Sequence, residues 1–294
     1  MTSITPRFNG IWVPLVTPFH NNDIDFPALR LLARKYAEAG VAGLVVCGST
    51  GEAAALSEAE QLAVLDAVIE AVPDCRIVMG LSDNNLPSLL QRLQSIQQRP
   101  IAGLLVPTPY FIRPSQAGLI DFFNAVANAA SAPVILYNIP YRTGVAMELD
   151  TIRSIARHPR VGAIKDCGGD PGLTMQLIAD AQLDVLSGDD QQIFSTLCLG
   201  GAGAIIASAH VRPDLFVRLA RLVQSGELAS ARQLFYGLLP LIQRLFEEPN
   251  PAGIKAALAI NGAIKDTLRT PMQSASSATR MRLASELERL ALLP

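Results

Sequence analysis

The sequence predicts an α/β fold, a (β/α)8 TIM barrel with a carboxy-terminal helical extension. Eight short apolar, β-branched runs recur along the 294 residues, helical patterns separate them, and beyond the eighth run the pattern is helical only. The barrel is expected to occupy residues 1–226 and the extension residues 227–294.

In chain order the strands are expected near residues 12–16, 43–47, 76–80, 102–106, 133–137, 161–165, 184–187 and 203–206. The intervening helices carry their own boundary signals. Asp25 caps a first helix with Pro27 in its opening turn and Leu29, Leu32 and Tyr36 on one face, ending before Gly40. Ser57 and Glu60 form a capping box ahead of Leu62, Leu65 and Ile69. Ser115 caps a helix with Leu119, Phe122, Phe123 and Val126 as its apolar side, and only a short helix fits around residues 191–199. A doubly wound open sheet is the alternative, disfavoured because no βα turn carries a dinucleotide fingerprint. In the extension, Leu234, Leu238 and Ile242 share a stripe, and Met281, Leu283, Leu287 and Leu290 recur near the end.

Half of the residues are hydrophobic, 17% are charged and the net charge is −2, with no basic stripe interleaved with aromatics, which argues against nucleic acid as a partner. Cys47, Cys75, Cys167 and Cys198 show no CxxC spacing, and three dispersed histidines make no metal site, so neither zinc, a disulfide framework nor a metal cofactor is expected. Met1 to Thr5 show no basic-then-apolar leader and no apolar run reaches the length of a membrane span, so a cytoplasmic protein with no membrane partner is expected.

Lysine occurs four times against 20 arginines, and one of the four, Lys165, closes the apolar run 161–165 just before a turn cluster, residues 166–172. An ammonium at the mouth of an apolar interior is poorly solvated. Its pKa falls, and the neutral amine can attack a ketone to form a Schiff base. The other reading is a strand-end lysine snorkelling to water. The pentapeptide Gly-Ala-Ile-Lys-Asp recurs at residues 262–266, following the helix formers Ile254 to Ala259, so Lys265 is expected to be a helical surface lysine.

Catalytic groups of such barrels sit at the carboxyl ends of the strands. The second strand runs into Gly48, Ser49, Thr50, Gly51 and Glu52, the fourth into Tyr110 and Phe111, and the fifth into Tyr137 followed by Arg142, Thr143 and Gly144. Lys165 ends the sixth, and Ser187, Gly188, Asp189 and Asp190 follow the seventh. Glycines beside Ser49 and Thr50 let hydroxyls and backbone N–H groups approach a small carboxylate, although a plain βα turn fits the same letters. Tyr137 offers a phenol for proton transfer, or a core ring with a satisfied hydroxyl. Arg142 offers a planar fork for a second carboxylate, or an exposed loop arginine. Asp189 and Asp190 read as caps of the following helix.

At these positions the sequence resembles the family of pyruvate-dependent class I aldolases that includes dihydrodipicolinate synthase and N-acetylneuraminate lyase. The resemblance spans nearly the whole chain: Thr17 to Phe19, Gly48 to Glu52, Tyr137 to Gly144, Lys165, then Asn250, Pro251, Lys255, Leu268, Arg269, Pro271 and Met272. It implies that Lys165 forms an imine with pyruvate, that Tyr137 is the general acid/base and that Ser49 is a relay hydroxyl. It further implies that Thr50 holds the pyruvate carboxylate and that Gly188 and Ile205 line the substrate site. Arg142 is similar to the synthase subgroup, in which it holds the carboxylate of L-aspartate 4-semialdehyde. No cofactor is implied beyond the covalent imine, and the implied assembly is a homotetramer, a dimer of dimers, with a dimer as the alternative.

Two departures qualify the resemblance. Phe111 stands where the synthases carry a second tyrosine that reaches across a dimer interface to complete a hydroxyl relay, and a phenyl ring cannot pass a proton. Glu58, Gln61 and Ser88 stand where regulated synthases place histidines and a glutamate for the effector lysine, so weak or absent inhibition by lysine is expected. The alternatives are an aldolase or dehydratase of the same family acting on a 2-keto-3-deoxy sugar acid or related 2-oxo acid, and a barrel that binds pyruvate without turnover.

Overall fold

The structure is a computed structural model that describes residues 8–291. Met1 to Thr5, on which the expectation of no leader rests, lie outside the described residues. Eight parallel strands, β1 (Gly10–Pro14), β2 (Gly43–Val46), β3 (Ile77–Gly80), β4 (Gly103–Pro107), β5 (Val134–Asn138), β6 (Val161–Asp166), β7 (Asp184–Ser187) and β8 (Gly203–Ile205), follow one another and close into a barrel. Strands β2, β3 and β5 are buried along their whole length, as parallel strands covered on both faces must be. The first strand starts two residues before its expected place, because Ala42 N donates to Ile11 O at 2.7 Å and so brings the chain into the ladder that early.

Two compact units divide the described residues, one holding Arg76–Ile205 with residues 8–10, the other Ile11–Cys75 and residues 206–291. In the first unit the register places Tyr137 opposite Lys165 and Asn138 opposite Asp166, then Lys165 opposite Leu186. Helices α3 (Leu86–Ile96), α4 (Gln116–Ala129), α5 (Pro140–Thr143), α6 (Leu149–Ala156), α7 (Pro171–Asp180) and α8 (Ile193–Cys198) connect the strands, and Ser115 caps α4 by accepting from Gly118 N.

The second unit holds α1 (Phe26–Glu38), capped by Asp25, and α2 (Glu58–Ala71), whose Ser57 and Glu60 make the reciprocal capping box. It also holds α9 (Pro213–Gln224), α10 (Leu228–Leu245), α11 (Ala252–Ile260) and α12 (Ser277–Ala291). The buried stripe of α10 runs through Ala231, Phe235, Leu238 and Ile242, with Leu234 at its margin, and on α12 Leu283 and Leu290 are buried whereas Met281 is exposed. His210 ties this unit together. Its Nε2 accepts from Val16 N at 3.1 Å, its Nδ1 donates to Ala207 O at 2.7 Å, and Tyr36 meets it edge-on.

Lys265 is exposed as expected but is not helical. Helix α11 stops at Ile260, Gly262 takes φ +71°, and Ala263 N returns to Leu258 O, a turn that ends the helix before the pentapeptide begins.

Candidate active site

Lys165 sits on β6, 5% exposed, with Nζ 4.4 Å from the centroid of the Tyr137 ring, itself 6% exposed on β5. Burial pushes the Lys165 pKa down; Cys167 and Asp190 pull it back up and Arg142 adds to the lowering. Among the described residues Lys165 joins no ion pair. The acid next to it in sequence is committed elsewhere. Asp166 accepts from Asn138 Nδ2 at 3.0 Å, Gly168 N at 3.0 Å and Thr174 Oγ1 at 2.7 Å. Asn138 Oδ1 in turn accepts from Met147 N, while Cys167 N donates to Asn138 O and Gly188 N to Asp166 O. These bonds lock the ends of β5, β6 and β7 and keep Asp166 from pairing with the amine.

Gly188 follows β7, and a Cβ there would stand 2.8 Å from Lys165 Cε and against Cys167 Sγ. Only glycine leaves room for the lysine stem. Desolvation pushes the Cys167 thiol up to about 12, so it stays protonated at neutral pH. Asp189 caps the turn after β7 by accepting from Gln191 N at 2.9 Å, whereas Asp190 is buried within Coulomb reach of Lys165. The expectation of a cap therefore holds for the first aspartate, and the second belongs to the lysine's surroundings.

Arg142 lies on α5 and is exposed, its guanidinium 5.3 Å from the Tyr141 ring and its Nε 3.2 Å from the Tyr141 hydroxyl. Phe111 N donates to Thr143 O, joining the loop after β4 to α5. Phe111 is 88% exposed at φ +71°, and Tyr110, Ile112 and Tyr141 are also exposed. A large apolar group held outward in the left-handed region is a strained arrangement.

In the second unit, Ser49 and Thr50 lie in the turn after β2, where Gly51 N and Glu52 N return to Gly48 O and Ser49 O. Cys47 and Glu52 flank it with φ of 53° and 54°, a concentration of strain typical of functional turns. Ser49 is half-buried; Thr50 is buried and its Oγ1 accepts from Asn250 Nδ2 at 2.9 Å. Ile205, the last residue of β8 and part of the first unit, is fully buried.

The structure thus brings Lys165, Tyr137 and Gly188 together, sets Arg142 on the exposed helix within Coulomb reach, and puts Ser49, Thr50 and Ile205 at the carboxyl ends of their own strands. A cavity of about 410 Å³ opens instead at the amino ends of β6 and β7, lined by His158, Gly162 and Asp184, and holds none of the expected residues. Gln61 spends its amide on Ala53 O and Leu56 O, and Ser88 donates its backbone N–H to the Asn85 cap.

Sequence reasoning missed one buried constellation. Lys255, 0% exposed on α11, pairs with Glu52, donates to Thr267 O at 2.9 Å and lies 4.2 Å from the Phe19 ring centroid. Glu52 also accepts from Arg269 N, and Arg269 grips Glu60 and the Ala55 carbonyl. The signal was available: a lysine inside the uniformly apolar Ala252–Ile260 has no polar face on which to sit.

The model of the dihydrodipicolinate synthetase family matches residues 7–290. A 4-hydroxy-tetrahydrodipicolinate synthase of Haloarcula marismortui is 37% identical over 276 residues, 92% of this chain and 90% of that one. The crystal structure of dihydrodipicolinate synthase from Thermotoga maritima superposes with a TM-score of 0.95 at 32% identity, covering 98% of this chain and 100% of that one. A protein described as the first monomeric dihydrodipicolinate synthase variant gives 0.95 at 31% identity, covering 98% of each chain. With its barrel, its buried lysine and a match across almost its full length, the chain belongs to the dihydrodipicolinate synthetase family.

Proposed function

We propose that this chain is a lyase of the class I aldolase type that condenses pyruvate with L-aspartate 4-semialdehyde to give 4-hydroxy-tetrahydrodipicolinate, a step on the diaminopimelate route to lysine. The observation that carries this reading is Lys165, buried against Tyr137 with no ion pair among the described residues, in a chain of this family. The lowered pKa favours the neutral form of the amine, and that form adds to C2 of pyruvate. Tyr137 hands a proton to the carbinolamine oxygen as water leaves, and Ser49 relays it. The imine loses a proton from C3, the resulting enamine carbon attacks the aldehyde, and the substrate amine closes the ring on C2 and expels Lys165. Thr50 holds the pyruvate carboxylate, Gly188 and Ile205 line the pocket, and Arg142 takes the carboxylate of the acceptor.

The chemistry asks for no group beyond the imine itself. The exposed Tyr110, Phe111, Ile112 and Tyr141 support a partner made of a second copy, in a homotetramer or, as the smaller alternative, a dimer. We further read residues 227–294 as an extension of a catalytic barrel, the four free cysteines as those of a cytoplasmic protein, and lysine as a weak effector or none. No helix among the described residues is long and apolar enough to cross a membrane.

The test is turnover with both substrates, followed through a coupled reductase as NADPH loss. Activity in the wild type and none in Lys165→Ala is the expected result. A borohydride-trappable pyruvate adduct without turnover would move the acceptor to another compound and keep the lysine chemistry.

A further inference from the structure

The hydroxyl of Thr50 has one proton and two lone pairs to place. One lone pair is taken: Asn250, 200 residues away in sequence, donates Nδ2–H to Thr50 Oγ1 at 2.9 Å. With a donor on that side the proton must point elsewhere, and among the described residues it meets no acceptor. Thr50 is 3% exposed, so an uncommitted O–H there is held in readiness for something other than bulk water. The segment that presents Asn250 is itself clamped to the same turn, by the Lys255 pair with Glu52 and by Arg269 N donating to Glu52 Oε2 at 3.1 Å. The contact is therefore fixed from both sides.

We propose that Asn250 is a positioning residue: it fixes the donor polarity of the Thr50 hydroxyl and so commits that proton to the carboxylate of the bound 2-oxo acid. The inference rests on the reading of Thr50 as the pyruvate-carboxylate residue. An amide can donate where a carboxylate can only accept, so Asn250→Asp inverts the contact. The hydroxyl then donates to the introduced carboxylate and turns its lone pairs on the substrate anion. Asn250→Ala leaves the hydroxyl free to rotate.

Steady-state kinetics on the full-length enzyme, with thermal midpoints to confirm folding, carries the test. Pyruvate KM is expected to rise about tenfold or more in Asn250→Asp and about threefold in Asn250→Ala, because a hydrogen bond to a charged group is lost or reversed. In both variants kcat and the KM for the aldehyde stay close to wild type. In a Thr50→Val background, where no hydroxyl remains to orient, the two Asn250 variants must become equal. Should Asn250→Asp fail to fold, Asn250→Ala alone decides, since its effect must vanish when Thr50 is valine. A full Asn250→Asp penalty surviving in Thr50→Val would mean through-space charge and would overturn the proposal. Thr50→Val with an unchanged pyruvate KM would overturn the Thr50 reading, and the inference with it. A raised KM in Thr50→Val beside wild-type values in both Asn250 variants would remove the positioning role alone.

Discussion

Lys165 and Lys255 are both buried, both lie over an aromatic ring at little more than 4 Å, and both have pKa values lowered by burial. They differ in their acceptors. Lys255 has a carboxylate, Glu52, and a backbone carbonyl, Thr267 O. Lys165 has neither, because the aspartate beside it is spent on Asn138, Gly168 and Thr174. A desolvated amine with a committed anion remains a structural cation, and one from which the anion is withheld is suited to the nucleophilic role proposed for Lys165. Burial alone does not distinguish these roles; the destination of the neighbouring carboxylate does.

The comparison breaks most sharply at Lys165 itself. Lys165→Ala should lower turnover by about 10⁴-fold or more, the scale of removing a covalent catalyst. Its thermal midpoint should be unchanged or higher, because a poorly solvated amine is lost. A drop of many degrees would put Lys165 in the same class as Lys255. Lys255→Met should leave the Glu52 carboxylate buried without its cation and cost about 3–5 kcal/mol of stability in urea unfolding. Adding Glu52→Gln should recover part of that loss, and a wild-type midpoint in the single variant would end the distinction.

A third buried base extends the contrast to pH. Burial lowers His210 from the ordinary 6.5 to about 4, since protonating Nε2 would set a second donor against Val16 N. The unfolded chain then binds the extra proton between those values. Stability is fully present above about pH 6.5 and falls by about 3 kcal/mol as pH drops toward 4. Thermal midpoints across that window check it, and His210→Gln should flatten the curve. The smallest effect is expected at the exposed Phe111. Phe111→Tyr should raise kcat about tenfold or less if a relay hydroxyl is missing, since water substitutes in part. An unchanged kcat would show that the position carries no proton.

The barrel is legible in the sequence because each strand is a short apolar run and each helix announces its start, as Asp25, Ser57 and Ser115 do. Lys165 is legible because a strand end and a turn cluster bracket it. Its twin Lys265 escapes the same reading, because the strong helix formers upstream hide the stop that Gly262 makes at positive φ. Lys255 and Asn250 are visible as letters but not as contacts. Their partners Glu52 and Thr50 lie about 200 residues earlier, and no local period encodes an ion pair or an amide bond across that span.

Position 188 and helix α5 also bear on how this chain can acquire new acceptors. A side chain at Gly188 would collide with the Lys165 stem, so under the proposed mechanism a mutational search passing through that residue loses the reaction before it gains a substrate. Arg142 stands exposed on a four-residue helix, where exchanges leave the strand ends intact. Under the proposed roles of Arg142 and Lys165, a library confined to residues 140–143 is expected to vary the acceptor and to leave the imine chemistry unchanged.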